Sequence, residues 1–185
     1  MDAVVNALTD AERERVAGYL DDTRRRVAAG VAALTPAQWS WRPAAGAWSV
    51  ADTLEHLIVA ELAALDSIAH AAVRASGAEE AADPRAIDRT LESRLTSRAA
   101  RAKTAPMLEP SGRWPVDELG ARFADGRGRM LQVVRGLSPT SRQLVCQHPR
   151  LGPLDCYQWA LLTAAHTDRH LQQIDEIKTS AGYPG

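Results

Sequence analysis

Four long stretches of this 185-residue chain repeat their apolar residues every three to four positions, and β-branched or aromatic runs of the kind that mark strands are nearly absent. That periodicity restricts the chain to folds that bury one stripe of each helix against its neighbours. The first stretch runs from about Asp10 to Leu34, with Val16, Leu20, Val27, Val31 and Leu34 as its stripe. Thr9 or Asp10 can cap it, and Thr35-Pro36 should end it, because proline cannot donate the next helical bond. The second starts after Ser49 and is predicted to reach about Arg74, carrying Leu54, Leu57, Ile58, Leu62, Leu65 and Ile68. The third opens near Pro115 and carries Val116, Leu119, Phe123, Met130, Leu131, Val134 and Leu137. Gly126 and Gly128 lie inside it, where they permit close packing or bend the helix. The last spans about Asp155 to Lys178.

Between these stretches the signals are weaker. Residues 35–49 place Trp39, Trp41 and Trp48 among proline and glycine, a composition that suits a plug for one end of the core. The segment Ser76 to Pro84 interrupts the pattern, and residues 85–103 read as a short peripheral helix anchored by Ile87, Leu91 and Leu95. Residues 137–156 read as a loop. Four long helices and one short peripheral helix predict an all-α four-helix bundle, with residues 1–185 as a single domain.

Composition narrows the function. The net charge is −1, from 22 basic and 23 acidic residues, which argues against a nucleic-acid partner. The densest basic run, Arg24-Arg25-Arg26, follows Asp21 and Asp22 and reads as a solvated helix face. No run of about 18 uncharged apolar residues suggests a membrane span, and the N-terminus lacks a secretory pattern. A cytoplasmic protein is therefore expected, with Cys146 and Cys156 as reduced, structural thiols.

The histidines carry the chemistry. In His166-Thr167-Asp168-Arg169-His170 the two imidazoles stand four apart, on one helix face, so both can reach one metal ion. They share their stripe with Trp159, Leu162, Thr163, Ile174 and Ile177, so they should point inward. Such pairs also occur as hydrogen-bonded core residues, and a metal site needs a third ligand from another element. His56, flanked by apolar residues in the second helix, is the candidate. His70 reads as a surface residue, and His148 as a loop residue that could approach the site. Other chemistries lack their motifs. A di-iron bundle needs Glu three residues before its histidines, and here Thr53, Thr163 and Thr167 stand there. A zincin needs Glu directly after the first histidine, and Thr167 occupies that position. No Gly-x-Ser-x-Gly elbow or phosphate-binding glycine loop is present.

Three stretches, in order, resemble the DinB/YfiT-like superfamily of helical bundles: PAAGAWSVADTLEHL with His56, LGARFADGRGRML with Phe123 and Arg127, and HPRLGPLDCYQWALLTAAHTDRHLQQI with His166 and His170. The resemblance spans most of the chain. It implies a DinB-like four-helix bundle that often pairs as a homodimer, and a metal site of His56, His166 and His170 for one divalent transition metal, Zn or Ni foremost. It further implies a metal-dependent enzyme acting on a small-molecule substrate. Either a low-molecular-weight thiol cosubstrate (an S-transferase) or water (a hydrolase) would attack a small electrophile. The alternative is a non-catalytic metal-binding helical module with a structural or stress-response role. Glu55, Asp52 and Asp168 neighbour the ligands in sequence without an assigned role, and Arg127 either holds an anionic substrate or pairs with a carboxylate, the commoner use.

Overall fold

In the computed structural model, which describes residues 7–73, 84–96 and 104–185, the four long stretches are helices. They are α1 (Asp10–Val31), α3 (Val50–Ala69), α5 (Val116–Arg135) and α6 (Cys156–Thr179), with the short α2 (Pro36–Ser40) and α4 (Pro84–Thr96) between them. Three of the long helices open on a reciprocal cap, in which the N-cap side chain accepts a backbone N–H and a side chain three residues on returns the bond. The pairs are Thr9 with Glu12, Ser49 with Asp52, and Asp155 with Gln158.

The bundle closes as a ring, α1 against α5, α5 against α3, α3 against α6, and α6 back against α1. Its interior falls into two apolar clusters. One joins Val16 and Leu20 of α1, Ala64 and Leu65 of α3, Met130, Leu131 and Val134 of α5, and Trp159, Ala160, Leu161, Leu162 and Ala164 of α6. The other joins Val27 and Val31, Leu54, Leu57 and Ile58, Leu119 and Phe123, and Leu171, Ile174 and Ile177. The first halves of α1 and α6 thus share one end of the bundle, and the first halves of α3 and α5 share the other. Parallel pairs α1/α6 and α3/α5 run antiparallel to each other.

Between the clusters lies a polar layer built on Arg127, whose side chain is wholly buried. Its Nε donates to Glu61 Oε1 (2.7 Å), Nη1 to Leu20 O (2.8 Å) and Thr23 Oγ1 (2.7 Å), and Nη2 to Thr167 Oγ1 (2.8 Å) and Glu61 Oε2 (3.2 Å). Of the two roles open to Arg127, the carboxylate pairing is the one observed. Burial pushes the Glu61 carboxyl upward, and Arg127 opposes that shift.

Several boundaries differ from the sequence reading, each for a local reason. α1 ends at Val31, and Thr35 with Pro36 starts α2 instead, Thr35 capping it and proline filling its first turn. α3 stops at Ala69, short of Arg74, because Ala72–Val73 leave the helix to form strand β1. The expected loop 137–156 contains a 3-10 turn (Pro139–Gln143) and two more strands, β2 (Leu144–His148) and β3 (Gly152–Asp155), so that β1-β2-β3 make a small antiparallel sheet. The β2–β3 turn uses Gly152 at φ 79°, a backbone region open to glycine at little cost. α4 lies along α6, held by buried Leu91 and by Asp88. Asp88 meets Arg142 at 2.8 Å, and Arg142 also reaches Glu12 (2.9 Å) and Asp155 (3.2 Å). Residues 76–83 of the expected interruption and 97–103 of the expected peripheral helix lie outside the described residues. Trp39 and Trp41 pack on the second cluster, as a plug would, whereas Trp48 turns to the histidines. α5 runs unbroken through Gly126 and Gly128; a Cβ would find only ordinary contact with Glu61 at the first and nothing within 4 Å at the second.

Two stability measurements follow from this packing. Arg127→Ala strands the buried Glu61 carboxylate and should lower the unfolding free energy by about 3–5 kcal/mol in urea titration, whereas Arg122→Ala, which breaks an exposed pair with Glu118 and a stacking contact on Trp114, should cost about 1 kcal/mol. Gly128→Ala should raise stability by about 0.5–1 kcal/mol, since the added methyl group meets nothing and the unfolded chain loses freedom. A destabilised Gly128→Ala protein would show that α5 needs the glycine there.

Candidate metal centre

α3 and α6 are adjacent and antiparallel, and their facing stripes bring three imidazoles together. Ser49 fixes the start of α3 and sets His56 two turns in, on the face that looks at α6. Asp155 starts α6, and three turns later His166 and His170 follow one another on the face that looks back. The Nε2 atoms of His56 and His166 are 3.2 Å apart, and those of His166 and His170 3.1 Å. All three offered nitrogens lie within 4.8 Å of one another. His56 and His170 are buried, and His166 keeps a partial opening to solvent. The half-buried indole of Trp48 covers the cluster, its ring centroid 4.9 Å from that of His56 and 6.1 Å from that of His170.

The far side of each outer ring is held. His56 Nδ1 lies 2.8 Å from the backbone oxygen of Leu108, and His170 Nδ1 lies 2.9 Å from Gln173 Oε1. The Leu108 oxygen can only accept, which favours the proton on His56 Nδ1, and the amide oxygen that Gln173 presents favours it on His170 Nδ1. Burial lowers the pKa of His56, against the pull of the Leu108 carbonyl, and burial pushes His166 well below the ordinary value, with His170 and His56 adding like-charge repulsion. A neutral ring protonated at Nδ1 presents a lone pair at Nε2. His56 and His170 therefore both aim lone pairs at His166 Nε2, and one proton on His166 can satisfy only one of them. Three nitrogen donors facing one another make a cation's environment, and two of the three pairs, at 3.1 and 3.2 Å, match the roughly 3.0–3.4 Å between nitrogens that share a metal at about 2.0–2.1 Å, while the third pair lies within 4.8 Å. The residues present fit a divalent ion.

The remaining candidates separate from this centre. His70 is exposed at the C-cap of α3 and lies beside Asp66. His148 ends β2, its Nδ1 accepting the backbone N–H groups of Arg150 and Leu151 while its ring packs on Trp159 at 5.2 Å. Asp52 caps α3 and pairs with Arg42, and Asp168 binds Arg26 and Tyr19, so neither holds a ligand ring. Glu55 is buried and bound to the connection before α5, on backbone groups that no sequence pattern identifies. The groups that do hold the rings escaped the sequence reading as well. A main-chain carbonyl at Leu108 leaves no residue-type signal, while Gln173, three residues after His170, stood on the right face. Cys146 and Cys156 are free thiols, and burial raises the Cys156 pKa to about 11.

A sequence model of the DinB superfamily matches residues 19–174. No curated protein matches the chain. Among solved structures the fold is similar to that of YfiT from Bacillus subtilis, described as "a probable metal-dependent hydrolase with an unusual four-helix bundle topology". The match has a TM-score of 0.61 at 16% identity, covering 96% of this chain and 92% of that one. At that identity the likeness speaks for the fold. Among the described residues no helix is long and apolar enough to cross a membrane.

The buried, proton-retaining thiol of Cys156 should resist alkylation by iodoacetamide at pH 8 in the native protein and react only after unfolding, as read by mass spectrometry of the peptides. Rapid native labelling of Cys156 would overturn its structural role.

Proposed function

The chain belongs to the DinB superfamily, and we propose that it is a metal-dependent hydrolase whose divalent ion is bound by the Nε2 atoms of His56, His166 and His170. One observation carries this reading: two imidazoles locked with their protons outward, on Leu108 and Gln173, point their lone pairs at a third. Three protein donors leave room for a further ligand, the pattern of catalytic rather than structural sites. Imidazole donors suit Zn or Ni. Such an ion, when bound, lowers the pKa of a water or thiol beside it and supplies a nucleophile near neutral pH.

The chain's own groups do the rest. The Leu108 carbonyl and Gln173 keep His56 and His170 in the tautomer that leaves Nε2 free to donate an electron pair. Trp48 shields one side of the cluster from water, and the partial opening at His166 leaves the other side for a small substrate. The description of the similar YfiT structure favours water over a thiol as the nucleophile. The same site would serve S-transfer with a low-molecular-weight thiol, and a direct comparison decides between them.

Purified without a histidine tag and reconstituted with Zn or Ni, the wild-type protein should retain about one equivalent of metal after dialysis. His166→Ala and His170→Ala, checked for helical content by circular dichroism, should retain almost none. A folded wild type that keeps no metal would sink the proposal. Loaded protein is then offered activated esters and amides with and without a small thiol. Products bearing the elements of water support the hydrolase, thioester products with the alcohol or amine expelled make it an S-transferase, and bound metal with no turnover leaves a non-catalytic metal module.

A further inference from the structure

We infer that Glu55 is a positioning residue for His56, acting through the connection between α4 and α5. The inference rests on the proposed metal site, but its first readout does not need metal. Glu55 precedes His56 on α3, about 100° round the helix from it, its side chain only 4% exposed. Three consecutive backbone N–H groups converge on its carboxylate: Ser111 N on Oε1 at 2.8 Å, and Gly112 N and Arg113 N on Oε2 at 2.9 and 3.2 Å. Gly112 makes this convergence possible, since φ 71° turns its amide toward the same side as its neighbours', forming an anion-binding nest. The Arg113 guanidinium closes the arrangement, bonding Glu55 Oε1 (3.2 Å) and the carbonyls of Glu109 (3.2 Å) and Met107 (3.3 Å).

The same short connection bears the Leu108 carbonyl that accepts the His56 Nδ1 proton at 2.8 Å. Leu108 lies three residues before Ser111, inside the span that Arg113 ties to itself and Glu55 ties to α3. A carboxylate one residue from the ligand therefore fixes the main-chain oxygen that chooses the ligand's tautomer. A buried carboxylate is costly unless fully bonded, and this one holds the connection that serves its sequence neighbour. Asp52, three residues away, lacks this role because it is spent on the Ser49 cap and Arg42.

The test uses Glu55→Gln, which keeps the volume but presents an NH₂ group to amides that need an acceptor. Glu109→Gln, which removes an exposed carboxylate from the same connection, is the control. Long-range ¹H–¹⁵N spectra of the metal-free proteins report the His56 tautomer. Wild type and Glu109→Gln should show the proton on Nδ1, and Glu55→Gln a mixture of tautomers. Zn affinity, by competition with a chromogenic chelator, should fall about 10–100-fold in Glu55→Gln and under about threefold in the control. Unchanged tautomer and affinity in Glu55→Gln, even with a lower melting temperature, would reduce Glu55 to a loop anchor and overturn the inference. Should Glu55→Gln not fold, Gly112→Ala, whose Cβ meets nothing within 4 Å but whose φ becomes strained, must shift the tautomer in the same direction. No shift there would overturn the inference too. If wild type binds no Zn, the metal proposal fails while the tautomer comparison still decides the role of Glu55.

Discussion

The guanidinium of Arg127 sets the register of the whole bundle. Apolar stripes alone tolerate sliding, because one leucine fits a greasy seam much as the next does. Arg127 does not tolerate it. All five of its N–H donors are used, on Leu20 and Thr23 of α1, Glu61 of α3 and Thr167 of α6. A shift of any long helix by one turn strands a buried charge. Such a cluster contributes little stability beyond what a well-packed apolar core would provide, and its use lies in excluding neighbouring registers. The two levels that matter for the site are tied to it directly. Thr167 follows His166, and Glu61 lies five residues after His56 on α3. The alignment of α3 and α6 that closes the guanidinium is the alignment that closes the histidines.

Orientation of the rings comes from a different source than their proximity. Helix register brings the three Nε2 atoms together, but a ring can present either nitrogen. What selects Nε2 is the acceptor behind each outer ring, one from the next turn of the same helix and one from a connection 52 residues away. The bundle supplies position, and the connection before α5, held on Glu55, supplies chemistry. This division explains why a segment with little regular structure is bonded so thoroughly.

Long helices, their stripes and the histidine pair were legible because each rests on local spacing. The 3.6-residue period survives any tertiary arrangement, so Val16, Leu20, Leu54, Met130 and Ile174 could be placed in the core from sequence. His56 was legible by its apolar flanks and by family resemblance. What escaped was whatever depends on contacts far apart in the chain. The β2–β3 hairpin carries one β-branched residue in LVCQH, too few to signal a strand, and β1 is two residues of an alanine-rich run that reads as helix. Leu62 fits the helical period yet stands 37% exposed, since a stripe wider than the seam leaves its edge outside. The partner of Arg127 is 66 residues away, and Leu108 acts through its backbone, which sequence does not distinguish.

The two polar constellations in this core contrast in a way that bears on function. Both involve α3 and α6, and both cost desolvation. Around Arg127 every donor meets an acceptor, and Thr167 passes its own proton on to the Thr163 carbonyl. Around His166 the neighbouring nitrogens are arranged donor-side out, so that lone pairs face one another at 3.1–3.2 Å with at most one proton to share. Poor packing is not the reason, because the same rings bond well on their outer sides. Charging the cluster with protons is disfavoured by burial and by mutual repulsion. Rotation of the outer rings would also give up their bonds to Leu108 and Gln173. A fold that satisfies one buried charge this fully, yet holds three basic nitrogens in mutual opposition, is what an electron-pair acceptor at their centre would account for, and that is the physical content of the metal proposal.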